Sequence, residues 1–226
     1  MSKPLATYAA RLTIERFLGF LLYLAGTGWV LDGRATVWFV AYFLAIGTGV
    51  WLAAKRPDTM ARRADLAATK DTTPVWDKVI LALFWLLAYF VVYYVAGRSH
   101  LSAPVWPVAI ALGLVIYAAS CVLTTAALME NAHAESVARL QPERSQTVCA
   151  TGPYAWVRHP MYAAIIMWCV AIVLVFPCLP VALVSAVVAA LIVCRTLLEE
   201  RMLVAGLPGY DTYRHAVHWR LVPFIF

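Results

Sequence analysis

Charge is what this chain has least of. Only 13% of its 226 residues are Asp, Glu, Lys or Arg, while 63% are hydrophobic. A soluble domain carries about a quarter charged residues and about half apolar ones. The shortage leaves no stretch polar enough for a separate soluble catalytic domain, because apolar runs and short loops take up the length. Cysteine is scarce and scattered. Cys121, Cys149, Cys169, Cys178 and Cys194 are odd in number and free of C-x-x-C spacing, which excludes a disulfide framework and a cysteine metal site and leaves them as small buried apolar residues. A dinucleotide fingerprint is missing too. Gly26-Thr27-Gly28-Trp29 and Gly47-Thr48-Gly49-Val50-Trp51 lack the third glycine and the preceding strand, so close helix packing explains them instead. No small-residue cleavage site follows a short apolar core near the N-terminus, so the first apolar run is expected to be retained.

What is present is a series of long apolar runs. They cover about 13–31, 35–54, 78–97, 107–128, 161–177 and 180–198, each near the ~20 residues that a helix needs to cross a bilayer. The sequence therefore predicts an all-α, polytopic integral membrane protein with about six transmembrane helices. The first run is the weakest, with Glu15 and Arg16 at its edge. Pro177 and Pro180 break the helix between the last two runs and predict a tight C-terminal helical hairpin.

The basic residues follow this pattern. With the N-terminus inside, sixteen of the 18 Lys and Arg fall on the cytoplasmic side, leaving only Arg34 and Arg98 opposite. Such a bias orients membrane proteins, so it accounts for the net charge of +6 without nucleic acid. Both termini, and the site described next, are expected at the cytoplasmic face. Residues 55–77 carry both signs of charge and read as a solvated connector or an interfacial helix.

The segment from Glu130 to Tyr162 carries Glu130, His133, Glu135, Arg139, Glu143, Arg144 and Gln146, then turns at Gly152-Pro153. Tyr154 and Trp156 suit a membrane interface. His159-Pro160 follows, with Pro160 placed to open the fifth helix. The free N–H groups and positive dipole end of that helix, with His159 beside them, would favour an anion such as a ligand carboxylate. Across the hairpin, Arg195 and Glu199 are four residues apart and share a helix face. Glu199 and Glu200 would receive an ammonium or a ribose diol. A ligand with amino-acid and nucleoside parts fits such a pocket. Arg220 reads as a residue that snorkels or pairs at the surface, and His100, His133, His215 and His218 read as surface or interfacial residues without metal-ligand spacing.

The stretch Thr151-Gly152-Pro153-Tyr154-Ala155-Trp156-Val157-Arg158-His159-Pro160-Met161-Tyr162 resembles isoprenylcysteine carboxyl methyltransferases and their bacterial relatives. So do Glu199-Glu200-Arg201, Tyr210-x-x-Tyr213, and the ending Arg220-Leu221-Val222-Pro223-Phe224-Ile225. The resemblance covers roughly 130–226; the N-terminal part, 1–129, matches only in being apolar. Two departures stand out: the step from the Glu pair to Tyr210 is one residue short, and Gly206-Leu207-Pro208-Gly209 replaces the customary F-G and acidic pair.

The resemblance implies a multi-span enzyme that uses S-adenosyl-L-methionine, with the cofactor enclosed near the cytoplasmic surface. It implies that Gln146, Val148 (through its backbone), Gly152, Tyr154, His159, Tyr162 and Glu199 or Glu200 line the cofactor site. It also makes Arg158 and Arg195 candidates for orienting the substrate anion. The acceptor expected first is a prenylcysteine-type carboxylate reached from the lipid bilayer. Phospholipid amines and thiols are the alternatives, because enzymes that methylate them look similar at the Glu pair. An NADPH-dependent reductase of the sterol-reductase type is similar in its C-terminal pocket, and a non-catalytic interaction protein is the remaining reading. Neither the acceptor nor the oligomeric state follows from the sequence.

Overall fold

The computed structural model describes residues 3–64, 69, 72–99 and 104–226. Among them the chain forms eight helices and no strand. They are α1 (Lys3–Thr27), α2 (Gly33–Lys55), α3 (Pro57–Ala64), α4 (Val75–Arg98), α5 (Pro107–Glu130), α6 (Pro160–Val175), α7 (Leu179–Gly206) and α8 (Tyr210–Ala216). Lys70 of the basic-residue count and His100 lie outside the described residues. Helix starts follow local chemistry. Asp32 caps α2 by accepting the Ala35 N–H at 2.7 Å. Proline occupies the first turn of α5, α6 and α7, where its missing N–H breaks no helical bond.

Four helices, α2, α4, α5 and α7, are long and apolar enough to cross a membrane. The six-run expectation is met only in part, for two physical reasons. Helix α6 has 16 residues, about 24 Å at 1.5 Å per residue, against a hydrocarbon core of about 30 Å. Helix α1 is long enough at 25 residues, but Arg11, Glu15 and Arg16 interrupt its apolar character near the middle.

The core is aromatic. Tyr23, Trp38, Phe39, Tyr42, Tyr93, Tyr117 and Phe176 are buried where α1, α2, α4, α5 and the end of α6 meet, with Trp38 and Tyr117 ring centroids 5.0 Å apart. Large apolar side chains also cover the outside, among them Leu44, Val108, Val122 and Leu183. A surface as apolar as the interior is what a lipid environment selects.

Helix α1 lies tight against α4 through glycine. A Cβ on Gly97 would fall 2.3 Å from the Tyr23 carbonyl and one on Gly26 2.6 Å from the Tyr94 carbonyl. The packing expected of the first glycine pair therefore operates at Gly26, whereas Gly47 has nothing within 4 Å. Helix α4 carries one π turn at Leu87–Val91, next to the cavity described below. The connector at 55–77 contains a short helix, α3, and its Met60 is buried with Leu52, Ala53, Leu128 and Ala134.

Candidate active site

The chain from Asn131 to His159 runs without long helix, so its backbone groups need partners elsewhere. Two arginines anchor it from other elements. Arg63 of α3 donates to the Ala134 and Glu135 carbonyls at 3.0 and 2.9 Å. Arg195 of α7 donates to the Ser136 carbonyl at 2.9 Å and pairs with Asp77 of α4 at 2.8 Å. Asp77 in turn accepts the Ala138 N–H at 2.8 Å. One buried carboxylate thus joins α4, α7 and the connecting segment.

The elbow at Thr151–His159 is locked from the other side by the C-terminal tail. The Arg158 and His159 N–H groups donate to the Trp219 and Arg220 carbonyls, both at 2.9 Å. The Arg158 guanidinium contacts Glu200 at 2.6 Å and the Val217 and His218 carbonyls at 2.6 and 2.8 Å. Arg220 binds the other oxygen of Glu200. Tyr213 of α8 donates to the Tyr154 carbonyl at 2.7 Å.

Enclosed by these supports is a cavity of about 370 Å³, within the usual size of small-molecule sites. It has two limbs. The polar limb is bounded by Gln146, Val148, Tyr154, His159, Tyr162 and Glu199, with Tyr210 and Tyr213 from α8. The deeper limb runs between α1, α2, α4 and α5. In the polar limb the Tyr162 hydroxyl donates to Glu199. The His159 and Tyr162 rings lie parallel, 3° from coplanar orientation with centroids 5.6 Å apart. Tyr210 Oη stands 3.4 Å from His159 Nε2, and the Arg195 guanidinium sits over the Tyr162 ring at 5.2 Å. Burial pushes the His159 imidazole below its ordinary pKa; Glu199 and Glu200 pull it back and Arg158 and Arg220 push it further down. His159 is therefore neutral at pH 7 and would meet a ligand anion through a hydrogen bond. Burial likewise raises the Tyr154, Tyr210 and Tyr213 phenols, which stay protonated.

The predicted site residues divide into two groups. Gln146, Val148, Tyr154, His159, Tyr162, Arg158, Arg195 and Glu199 all reach the cavity wall. Gly152 and Glu200 are absent from that wall. Gly152 adopts φ +56° and packs on the Glu130 side chain, where a Cβ would meet carboxylate atoms at 3.2 Å. Glu200 faces the tail and neutralises Arg158 and Arg220. Of the two glutamates, Glu199 is the one that lines the cavity. Arg158 reaches the wall with most of its donors engaged by Glu200 and the tail carbonyls.

Several residues were missed. Asp77 and Arg63 are the counterparts that fix the strap, the segment from Asn131 to the elbow, and both sat in a stretch read as a solvated connector or an interfacial helix. His133 was read as a surface residue, yet it is half-buried and lines the cavity. The pairing of Arg220 with Glu200 agrees with one of the two roles expected for it. Cys194 is exposed on α7, unlike the buried cysteine expected there.

Residues 109–205 match the model of the isoprenylcysteine carboxyl methyltransferase (ICMT) family. This stretch is similar to that family. It takes in most of α5, the strap and elbow, α6 and nearly all of α7. The similarity supports a membrane methyltransferase of the isoprenylcysteine type. The match ends before α8 and the tail, which complete the cavity through Tyr210 and Tyr213 and hold the elbow through Arg220. No curated protein matches the chain.

Proposed function

We propose that the protein transfers a methyl group from S-adenosyl-L-methionine to the carboxylate of a lipidic acceptor, at the cytoplasmic face of a six-span membrane fold. The observation that carries this reading is the convergence of Glu199, Tyr162 and His159 on one enclosed cavity, continuous with a limb that enters the helical bundle. The donor set fits the cofactor. Glu199 is a carboxylate for a ribose diol or an ammonium, and the neutral His159 and Tyr210 offer hydrogen bonds. The rings of Tyr154 and Tyr162 suit a sulfonium through cation–π attraction. When bound, S-adenosyl-L-methionine supplies a methyl already activated by the sulfonium, so no metal is required.

The protein's own residues then orient and exclude water. A carboxylate acceptor is ionised at neutral pH and needs no general base, which leaves alignment as the main contribution, at most about 7–11 kcal/mol. Arg195, held by Asp77 and Ser136, keeps its charge beside Tyr162 and would draw the acceptor's anion towards the polar limb. Arg158 acts as a positioning residue, holding the elbow that presents His159. The short α6 crosses with its flanking turns, and α1 crosses with its charges turned to the cavity. The lipid part of the acceptor would enter sideways between helices.

The test is an assay with radiolabelled methyl donor in native membranes. Label released as methanol by mild base supports an ester, and base-stable label redirects the reading to a phospholipid amine or a thiol. Protection from thermal unfolding by S-adenosylhomocysteine, and not by NADPH, supports methyl transfer; the reverse favours a reductase.

A further inference from the structure

The deeper limb of the cavity contains a charge with no counterpart. Helix α1 brings Arg11, Glu15 and Arg16 to its wall. Arg11 is accounted for: its Nε donates to Glu15 at 2.7 Å and its guanidinium stacks over Trp85 at 5.0 Å. Arg16 is not. Its Nε and Nη1 are buried and have no hydrogen-bond partner among the described residues. Its guanidinium lies over the Tyr42 ring at 5.0 Å, with Tyr89 and Tyr117 as further neighbours. Tyr42, Tyr89, Tyr117, Ser120, Cys121 and Thr124 line the same limb. Glu15, whose Oε2 is also buried without a hydrogen-bond partner, is bonded to Arg11 and lies within electrostatic reach of Arg16, so the three charges of α1 sum to one positive charge.

Its position in the bundle makes this unusual. Asp77 of α4 pairs with Arg195 at the polar limb, and Tyr89 stands twelve residues further along the same helix, which at 1.5 Å per residue is about 18 Å deeper. Ionisable groups at such depth are costly and are kept where a ligand or a partner answers them. A purely hydrocarbon tail would leave both buried donor nitrogens of Arg16 unsatisfied.

We propose that the deeper limb is an anion subsite centred on Arg16, and that the acceptor is an elongated amphiphile with a second carboxylate or comparable oxyanion remote from the methylated end. The two donors of Arg16 take the oxyanion, and the Tyr42 face holds the guanidinium in place. The tyrosine, serine and threonine hydroxyls of the limb replace part of its hydration. The assignment of the second group to a methyl acceptor rests on the methyltransferase reading above; the anion subsite itself does not.

The experiment compares dodecanedioate with dodecanoate as probes, binding each to the purified full-length protein in detergent, saturated with S-adenosylhomocysteine. The wild type is expected to bind dodecanedioate at least tenfold more tightly, and Arg16→Met is expected to bind the two equally while keeping its S-adenosylhomocysteine affinity. Arg16→Gln is the second variant should the first not fold. Equal binding of the two probes by the wild type overturns the subsite, as does a preference that survives in either variant. Absence of S-adenosylhomocysteine binding by the wild type, with the dicarboxylate preference intact, would instead overturn the methyl-donor reading and leave the anion subsite standing.

Discussion

Arg195 and Asp77 lie 118 residues apart in the chain and meet at 2.8 Å, with under a tenth of either side chain exposed. The pair fixes α7 against α4, and the remaining oxygen of Asp77 holds the Ala138 N–H. Removing one member leaves the other charged, buried and alone, which costs about 3–5 kcal/mol. Asp77→Ala is therefore expected to lower stability by that amount in detergent unfolding experiments. The double variant Asp77→Leu with Arg195→Met is expected to recover much of the loss in stability and none of the activity, because Arg195 also faces the cavity. A double variant as unstable as Asp77→Ala would show that something other than the ion pair is lost.

The adjacent glutamates are expected to fail in different ways. Glu199 faces the cavity and accepts from Tyr162, whereas Glu200 faces the tail and accepts from Arg158 and Arg220. Glu199→Gln removes a charge-assisted contact worth about 1.5–3 kcal/mol, which is roughly a 10–100-fold loss of S-adenosylhomocysteine affinity with the fold intact. Glu200→Gln leaves two guanidinium groups without their anion and is expected to lower the unfolding temperature before it touches affinity. Calorimetric titration and thermal unfolding on both variants check the split. Matching behaviour would mean that the two side chains share one role.

Much of this was legible in the sequence, and the limits are physical. The apolar runs placed four of the six helices to within three residues, because length and hydrophobicity are local properties, whereas α1 starts ten residues before its run and α7 ends eight after its own, both extended by polar residues. The elbow and the Glu pair marked the polar limb because turn residues and charges are expensive at a membrane edge. Partner choice was not legible. Nothing local distinguishes Glu199 from Glu200; the difference arises because α7 rotates one towards Tyr162 and the other towards a tail twenty residues further on. Asp77 was hidden for the same reason, as one acid among the mixed charges ahead of α4. Arg158 looked like a topology charge or a substrate ligand, and only the tail carbonyls reveal that it is a clamp.

Gly152 bears on the site through the backbone alone. Its φ of +56° is a left-handed conformation that costs an L-residue roughly 1–2 kcal/mol, and an added Cβ would also press on the Glu130 carboxylate at 3.2 Å. Gly152→Ala is expected to destabilise by about that amount and to weaken S-adenosylhomocysteine binding indirectly, by displacing Tyr154 two residues on. Gly152→Asn, which tolerates the left-handed region better, should fall between alanine and wild type in thermal stability. An alanine variant with unchanged stability and affinity would show that the elbow relaxes without consequence.

His159 gives the protein a directional response to acid. In the folded chain its pKa is depressed, chiefly by burial, while in the unfolded chain it titrates near 6.5. Above pH 6.5 neither state holds the proton and this residue makes stability independent of pH. As pH falls below 6.5 the unfolded chain takes up a proton that the folded chain refuses, so stability declines until the folded-state pKa is reached and levels off there. The cavity responds only at lower pH, where the folded imidazole itself takes up the proton: both ring nitrogens then donate and the charge attracts Glu199. Unfolding free energy, followed downward from pH 8, is expected to be flat at first and to fall below pH 6.5, with S-adenosylhomocysteine affinity changing only at the lower pH where the folded imidazole protonates. In His159→Asn the component of the fall due to this residue should vanish, leaving a shallower profile. A wild-type profile that rises on acidification, or one that His159→Asn leaves unchanged, would mean that the imidazole is not the neutral, buried group that stacks on Tyr162.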